Sequence, residues 1–370
     1  MCTVGCVLRN AAVWQVPPDP EGGSYAEESS TENQNPMNNK PEATIAPTVV
    51  AARAAKPLLS GPKRQHFLPK FYLEGFTKNG MVALFDRKLN EIRVQQPVNT
   101  CVIGHFYTME DAAGRKRFEL EQLLSEYETK ASFVIKKLAA TEAINADERT
   151  DLAIFVALAT FRTPDIVDSL KALNSNLIKD MGKRMFADVD AVKTRMRGEP
   201  DAPSAEEKLE VEAHELVEYM QNGQYEVKTS HTWVIDMAMK MAFNIAPILA
   251  GRDWAVVHRD NEKKSFVTTD APVLLTTVAP RENSFWGIGF GNTDALVLFP
   301  LTESCILAMY GSDGDLKHRT ADVEQIRHTN LALADSCQRF VVGRDEALVR
   351  SLTDHLCLAS KKWKPKMQRT

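Results

Sequence analysis

The residues best suited to chemistry are a histidine and an arginine set in apolar surroundings. His66 lies in Arg64-Gln65-His66-Phe67-Leu68-Pro69-Lys70-Phe71-Tyr72-Leu73-Glu74-Gly75-Phe76, which places four aromatics around one histidine and one proline. A buried aromatic cluster explains the rings. The imidazole is the exception, because it can bond, titrate or ligate. Arg162 follows residues 152–161, a run that is apolar almost all round. A cation attached to such a segment needs an acidic partner or an anionic ligand. Glu121 and Glu128 stand seven residues apart beside the apolar stripe of the preceding helical segment, so they share one aspect of it. Either carboxylate could pair with Arg162, and the plain alternative is an ordinary solvated flank.

The elements that must position these groups follow from periodicity. Residues 1–60 are expected to be a disordered leader. Pro17-Pro18-Asp19-Pro20-Glu21-Gly22-Gly23 and the polar stretch 29–35 cannot bury enough surface to offset ordering entropy. After the turn at Asn79-Gly80, residues 81–86 and 91–95 predict a hairpin, and 105–108 predict a third short strand with Tyr107 half-buried in it. From 118 to 140, Leu120, Leu123, Leu124, Tyr127, Ala131 and Val134 recur at helical spacing. A second helix, capped at Asn145 or Asp147, carries the apolar run and is expected to be central and buried. Thr163 and Pro164 suit the start of a long polar helix reaching 196. Ser204 to Glu207 reads as a capping box for a helix through 220, in which His214 is solvated. Ser230 caps a methionine- and alanine-rich helix to 249, where the methionines read as core.

After Gly251 the pattern changes to strands, at 254–258, 265–270, 296–301 and 305–310. A helix at 322–336, a strand at 339–342 and a helix at 345–358 follow. The fold class is therefore α+β. A central helical core, with a buried helix at about 147–163 packed on 117–140, is flanked by an N-terminal β-hairpin region and a C-terminal mostly antiparallel sheet. One domain spans 61–358, with a helical insertion at about 165–250, and a basic tail occupies 359–370. No internal repeat is visible.

Several of these blocks, in this order, resemble the bacterial domain-of-unknown-function (DUF) family 4238. They are residues 65–73, Phe106-Tyr107-Thr108, Leu120-Glu121, Tyr127-Glu128, Phe161-Arg162-Thr163-Pro164, Thr268-Thr269-Asp270-Ala271-Pro272-Val273, Phe299-Pro300-Leu301 and Asn330. Together they span about 64–343. The resemblance implies no activity, but it implies a shortlist of polar residues inside apolar blocks: His66, Glu121, Glu128, Arg162, Asp270 and Asn330.

A histidine, a carboxylate and an arginine suit general acid–base chemistry on a phosphate or acyl centre. In that scheme His66, Arg162 and Asp270 are the candidate catalytic residues. His66 is acid or base, Asp270 orients it or holds a metal, and Arg162 stabilises developing negative charge. Glu121, Glu128, Asn330 and Tyr107 are candidates for binding, with Asn330 as a neutral donor. The activity this suggests is a hydrolase of phosphodiesterase type, with a nuclease in a defence or toxin setting as one form of it, acting on a small anionic ligand or nucleic acid. Two other readings stay open: a non-catalytic protein holding an anionic ligand in the same pocket, or a structural polar network. Asp270 before Ala-Pro also suits an Asx-turn.

The 370 residues carry a net charge of -4 and 44% hydrophobic residues, enough for a sizeable core but without the basic surplus of a general nucleic-acid binder. No long apolar run suggests a membrane span. The six cysteines form no CxxC pair, and Cys305 and Cys337 lie among apolar neighbours as core residues. A reducing cytoplasm is the default expectation. No HExxH or GxSxG occurs, the glycine-rich stretch 287–291 lacks the lysine of a phosphate loop, and Asp270 lacks the downstream acidic-x-Lys element of a common nuclease core. No cofactor or metal follows from these residues.

Overall fold

A hairpin near the start of the fold and a strand near its end close the chain into one sheet. The computed structural model describes residues 57–200, 203–223, 225–278, 287–354 and 356. Most of the expected leader and all of the basic tail lie outside the described residues, as do Cys2, Cys6 and Cys357. In chain order the elements are β1 (Arg64–His66), α1 (Lys70–Glu74), β2 (Val82–Asp86), β3 (Glu91–Gln95), β4 (Val102–Gly104), β5 (Met109–Glu110) and β6 (Lys116–Arg117). Six helices follow: α2 (Glu119–Ala139), α3 (Ala146–Phe161), α4 (Pro164–Met185), α5 (Val189–Met196), α6 (Glu206–Asn222) and α7 (His231–Ala250). The rest are β7 (Asp253–Arg259), β8 (Thr268–Thr269), β9 (Leu274–Thr277), β10 (Ala295–Thr302), β11 (Cys305–Tyr310), β12 (Leu316–Ala321), α8 (Val323–Ser336), β13 (Phe340–Gly343) and α9 (Glu346–Thr353).

The fold is α+β. Strands β12-β7-β11-β10-β9 form a five-stranded sheet, antiparallel except for the β7–β12 pair. The hairpin β2–β3 does not stand apart at the N-terminal end. It joins the late strands in a sheet of order β3-β2-β13-β8, with Phe85 opposite Val341. The 152–161 part of helix α3 is apolar almost all round and is covered on several sides, the helix packing on α7 and α2. Its Asn145 capping box closes with Glu148 as the sequence suggests. The rings after His66 enter this core: Tyr72 stacks on Phe299 at 5.3 Å, and its hydroxyl donates to the Pro300 carbonyl at 2.8 Å.

Several expectations change on contact with the tertiary structure. Residues 105–108 form a turn rather than a strand, with His105 at φ 55°. The long helix to 196 breaks at Phe186, and Asp188 recaps it by accepting from Asp190 N–H. Ser204 forms no capping box: Ala205 is the N-cap of α6, without a side-chain bond. Thr163 occupies the N-cap of α4 but makes no capping bond. The 265–270 strand shrinks to Thr268–Thr269. Helix α9 ends at Thr353. The last helix of the expected insertion, α7, lies in the central core, where Val234, Ile235, Ala238 and Ala242 are buried with α3. That helix is also long and apolar enough to cross a bilayer by length and composition, against the expectation that no such run exists. Cys101, Cys305 and Cys337 are buried and form no disulfide among the described residues.

The closing sheet is bolted by charge. The Asp86 side chain, fully buried, accepts from Arg339 Nε at 3.1 Å and Nη2 at 2.8 Å, and from Arg93 at 3.2 Å. Burial pushes this carboxyl up, but the Arg339 hydrogen bonds and charge outweigh it and leave the group below its usual range. Arg339→Ala is expected to cost roughly 1.5–3 kcal/mol at neutral pH, the range for hydrogen bonds to charged groups. Because the folded-state carboxyl titrates low, this stability is present above the unfolded value and lost as pH falls through the folded one. Urea melts of both proteins at pH 7 and pH 3 should therefore show the gap closing in acid.

Candidate functional site

Burying the 152–161 part of α3 carries its C-cap, Arg162, to zero exposure. The guanidinium Nη1 donates to Glu128 Oε1 at 2.7 Å, and its carbon lies 5.8 Å from the Phe155 ring centroid. Nε and Nη2 have no hydrogen-bond partner among the described residues. Burial opposes the cation's charge, and Glu128 more than restores it. Glu121 and Glu128 are seven residues apart on α2, close to two full turns, so they face the same side.

Tyr107 enters from the turn between β4 and β5. Its hydroxyl donates to the Arg162 carbonyl at 3.1 Å, and its own N–H donates to Gln65 Oε1 at 2.6 Å. Burial holds the phenol far above its usual range, so it remains a donor. Gln65 is itself fully buried and reaches Thr108 Oγ1 at 3.4 Å, which fixes the turn to β1 beside His66. This glutamine was not singled out in the sequence. Its signal was an uncharged polar residue adjoining the histidine in an otherwise apolar block.

His66 completes the cluster. Its Nε2 is buried without a partner among the described residues. Burial pushes the imidazole below the usual histidine range, while the backbone at Val98 and the Glu128 charge pull the other way. Glu121 moves in the opposite direction to most surface carboxylates: burial first, then the Glu128 charge, push it up to about 7, with Arg162 opposing. Glu121 also lines a groove of about 490 Å³ between α2 and residues 58–62. That wall is close: a Cβ on Gly61 would lie 2.4 Å from the Phe118 ring, so glycine is required there. The end of the expected leader is thus tied down, with Leu58 N–H donating to Glu119 at 2.9 Å.

Five of the seven expected residues therefore share one electrostatic neighbourhood: His66, Tyr107, Glu121, Glu128 and Arg162. Asp270 and Asn330 bond elsewhere. Asp270 follows β8 and accepts from the N–H groups of Gln338 at 3.0 Å and Arg339 at 2.7 Å, so no bond of it orients His66. Burial pushes its carboxyl up to about 6 against the pull of these N–H groups. Asn330 spends its amide on backbone, accepting from Val267 N–H at 3.0 Å and donating to the Ser265 carbonyl at 2.8 Å. It clamps an extended segment onto α8 and donates nothing to Arg162. No group of three or more His, Cys, Asp or Glu side chains among the described residues is arranged to hold a metal ion.

Comparison with known proteins adds one finding. The family model described as "Protein of unknown function (DUF4238)" matches residues 64–347, which include all seven of these residues. No curated protein and no solved structure matches the chain.

The Glu121 carboxyl titrates higher folded than unfolded, so its neutral form favours the fold. Its contribution is complete below the unfolded value near 4.5 and is lost as pH rises through about 7. Glu121→Gln removes the titration. Its melting temperature relative to the parent is expected to rise from pH 5 to about pH 7 and then level off, read by thermal melts in a pH series. A difference that stays flat with pH would show that Glu121 is solvated.

Proposed function

The chain belongs to the DUF4238 family, whose description names no activity, and we propose from the chemistry of the cluster that it is a hydrolase acting on a phosphate or acyl centre. The observation that carries this reading is one carboxyl, Glu121, pushed up to about 7 beside a second, Glu128, that is paired with a buried arginine. A carboxyl kept protonated towards neutrality and a histidine kept neutral by burial give a site an acid and a base at one pH.

In this reading Glu121, protonated near neutrality and open to the groove, is the general acid. His66, neutral because burial lowers it, is the general base. Water attacks the phosphorus or acyl carbon and gives its proton to His66 Nε2. The bond to the leaving oxygen breaks as Glu121 protonates that oxygen, and exchange with solvent resets both groups. Arg162 Nε and Nη2 supply donors for the developing negative charge. Tyr107 and Gln65 hold the arginine's backbone in place and touch no substrate.

The unpartnered guanidinium nitrogens by themselves equally suit an anion held without turnover, and the Glu121 proton is what distinguishes the two readings. The test is hydrolysis of bis(p-nitrophenyl) phosphate and p-nitrophenyl acetate by the parent, His66→Ala and Glu121→Gln. One substrate is expected to turn over with a bell-shaped pH profile. Each variant should lose about 10²–10⁴-fold, the range for a general acid or base, with its melting temperature at pH 6 retained. Glu121→Gln should also lose the alkaline limb. Activity that survives both substitutions would sink the proposal.

A further inference from the structure

A second cavity, of about 330 Å³, lies on different elements from the groove at Glu121. It is formed by residues 263–265, α8 and the start of α9. Its floor is apolar, with Ile326 and Leu352 buried at 2% and 1% exposure and Leu348 beside them. Its rim is basic. Lys263, Lys264 and Arg327 are exposed there, and among the described residues their side chains make no hydrogen bond or ion pair. The rim therefore offers three cations that no protein group neutralises among the described residues. An anionic ligand seated in the hollow would give all three a charged partner.

The rim is held in place. Arg344 donates to the carbonyls of Glu262 at 2.9 Å and Lys263 at 2.7 Å, and Asn330 holds the Ser265 carbonyl at 2.8 Å. The loop carrying both lysines is therefore pinned at two points. The one carboxylate in the lining, Asp345, is already engaged. It caps α9 through Leu348 N–H at 2.9 Å and lies 3.5 Å from Arg344 and 3.6 Å from Lys78. The volume suits one small ligand and is at the lower end of the range for such sites.

We propose that this cavity binds a phosphorylated small molecule of about nucleotide size. Its phosphate sits among Lys263, Lys264 and Arg327, and its apolar part lies on Ile326, Leu348 and Leu352. The site is independent of the acid–base cluster, with which it shares no lining residue.

Isothermal titration of the full chain with ADP, phenyl phosphate and inorganic pyrophosphate tests this. ADP or phenyl phosphate is expected to bind about tenfold or more tightly than pyrophosphate, because only they carry an apolar part. The charge-reversed Lys263→Glu/Arg327→Glu protein should lose at least about tenfold in affinity and keep its melting temperature. The control Lys88→Glu/Lys116→Glu, with the same change in net charge at exposed positions away from the cavity, should bind as the parent does, as should Glu121→Gln. No binding of the three probes, equal binding of pyrophosphate, or equal loss in the control would overturn the proposal. So would preference for a single-stranded oligonucleotide over ADP, since that places the cations on a nucleic-acid track rather than a ligand pocket.

Discussion

The burial of one guanidinium organises the centre of this protein. The 152–161 part of helix α3 is too apolar to face water, so the residue that caps its end, Arg162, is taken out of solvent with it. A desolvated cation left unpaired costs several kcal/mol, and breaking a buried pair costs roughly 3–5 kcal/mol. The fold therefore has to bring an acid to it. Glu128 comes from α2, and Tyr107 secures the carbonyl of the same residue. Once Glu128 is in place, Glu121, two turns earlier, feels its charge in a half-dry setting, and His66 feels it from β1. The unusual titration of the site thus follows from the hydrophobicity of a helix.

A second constraint closes the chain around that centre. Arg339 shows how economically this is done: its side chain binds Asp86, its N–H binds Asp270, and its guanidinium lies 4.6 Å from the Phe340 ring centroid. The start of the fold, the strand at 268–269 and the last sheet strand meet at one residue. Asp270 and Asn330 then have the same kind of task. Asp270 satisfies the N–H groups of Gln338 and Arg339 just before β13, and Asn330 satisfies backbone groups of Ser265 and Val267 just before the two-residue β8. Buried backbone groups without partners are costly, and polar side chains at such places repair the ladder. Polarity inside an apolar block here answers two different needs, the pairing of a buried arginine and the repair of a ladder.

Much of the fold was legible in the sequence because it depends on local periodicity. The stripe of α2, the all-round apolarity of α3, the hairpin β2–β3 and the Asn145 cap are each decided within a few residues. The errors fall where distant contacts overrule local pattern. Residues 105–108 look like a strand, but Tyr107 is drawn into a turn by Gln65 and Arg162. Helix α7 looks like part of an insertion until α3 needs a partner on that side. Of the candidate site, Arg162 with Glu121 and Glu128 could be paired from helix spacing alone, while the bonds of Asp270 and Asn330 could not.

The sequence by itself determined which segments must be buried and which of their ends carry charge. Residue types and spacing act over a few turns, and the hydrophobic effect needs no knowledge of partners. Only the tertiary structure decided which charges meet. It brought Arg162 to Glu128, left Glu121 at the edge of a groove, and sent Asp270 to the backbone of Gln338 and Arg339. It also set Lys263, Lys264 and Arg327 around a hollow of their own. Ion pairing and titration depend on distances of a few ångströms and on local dielectric, and both are set by chain segments far apart in sequence.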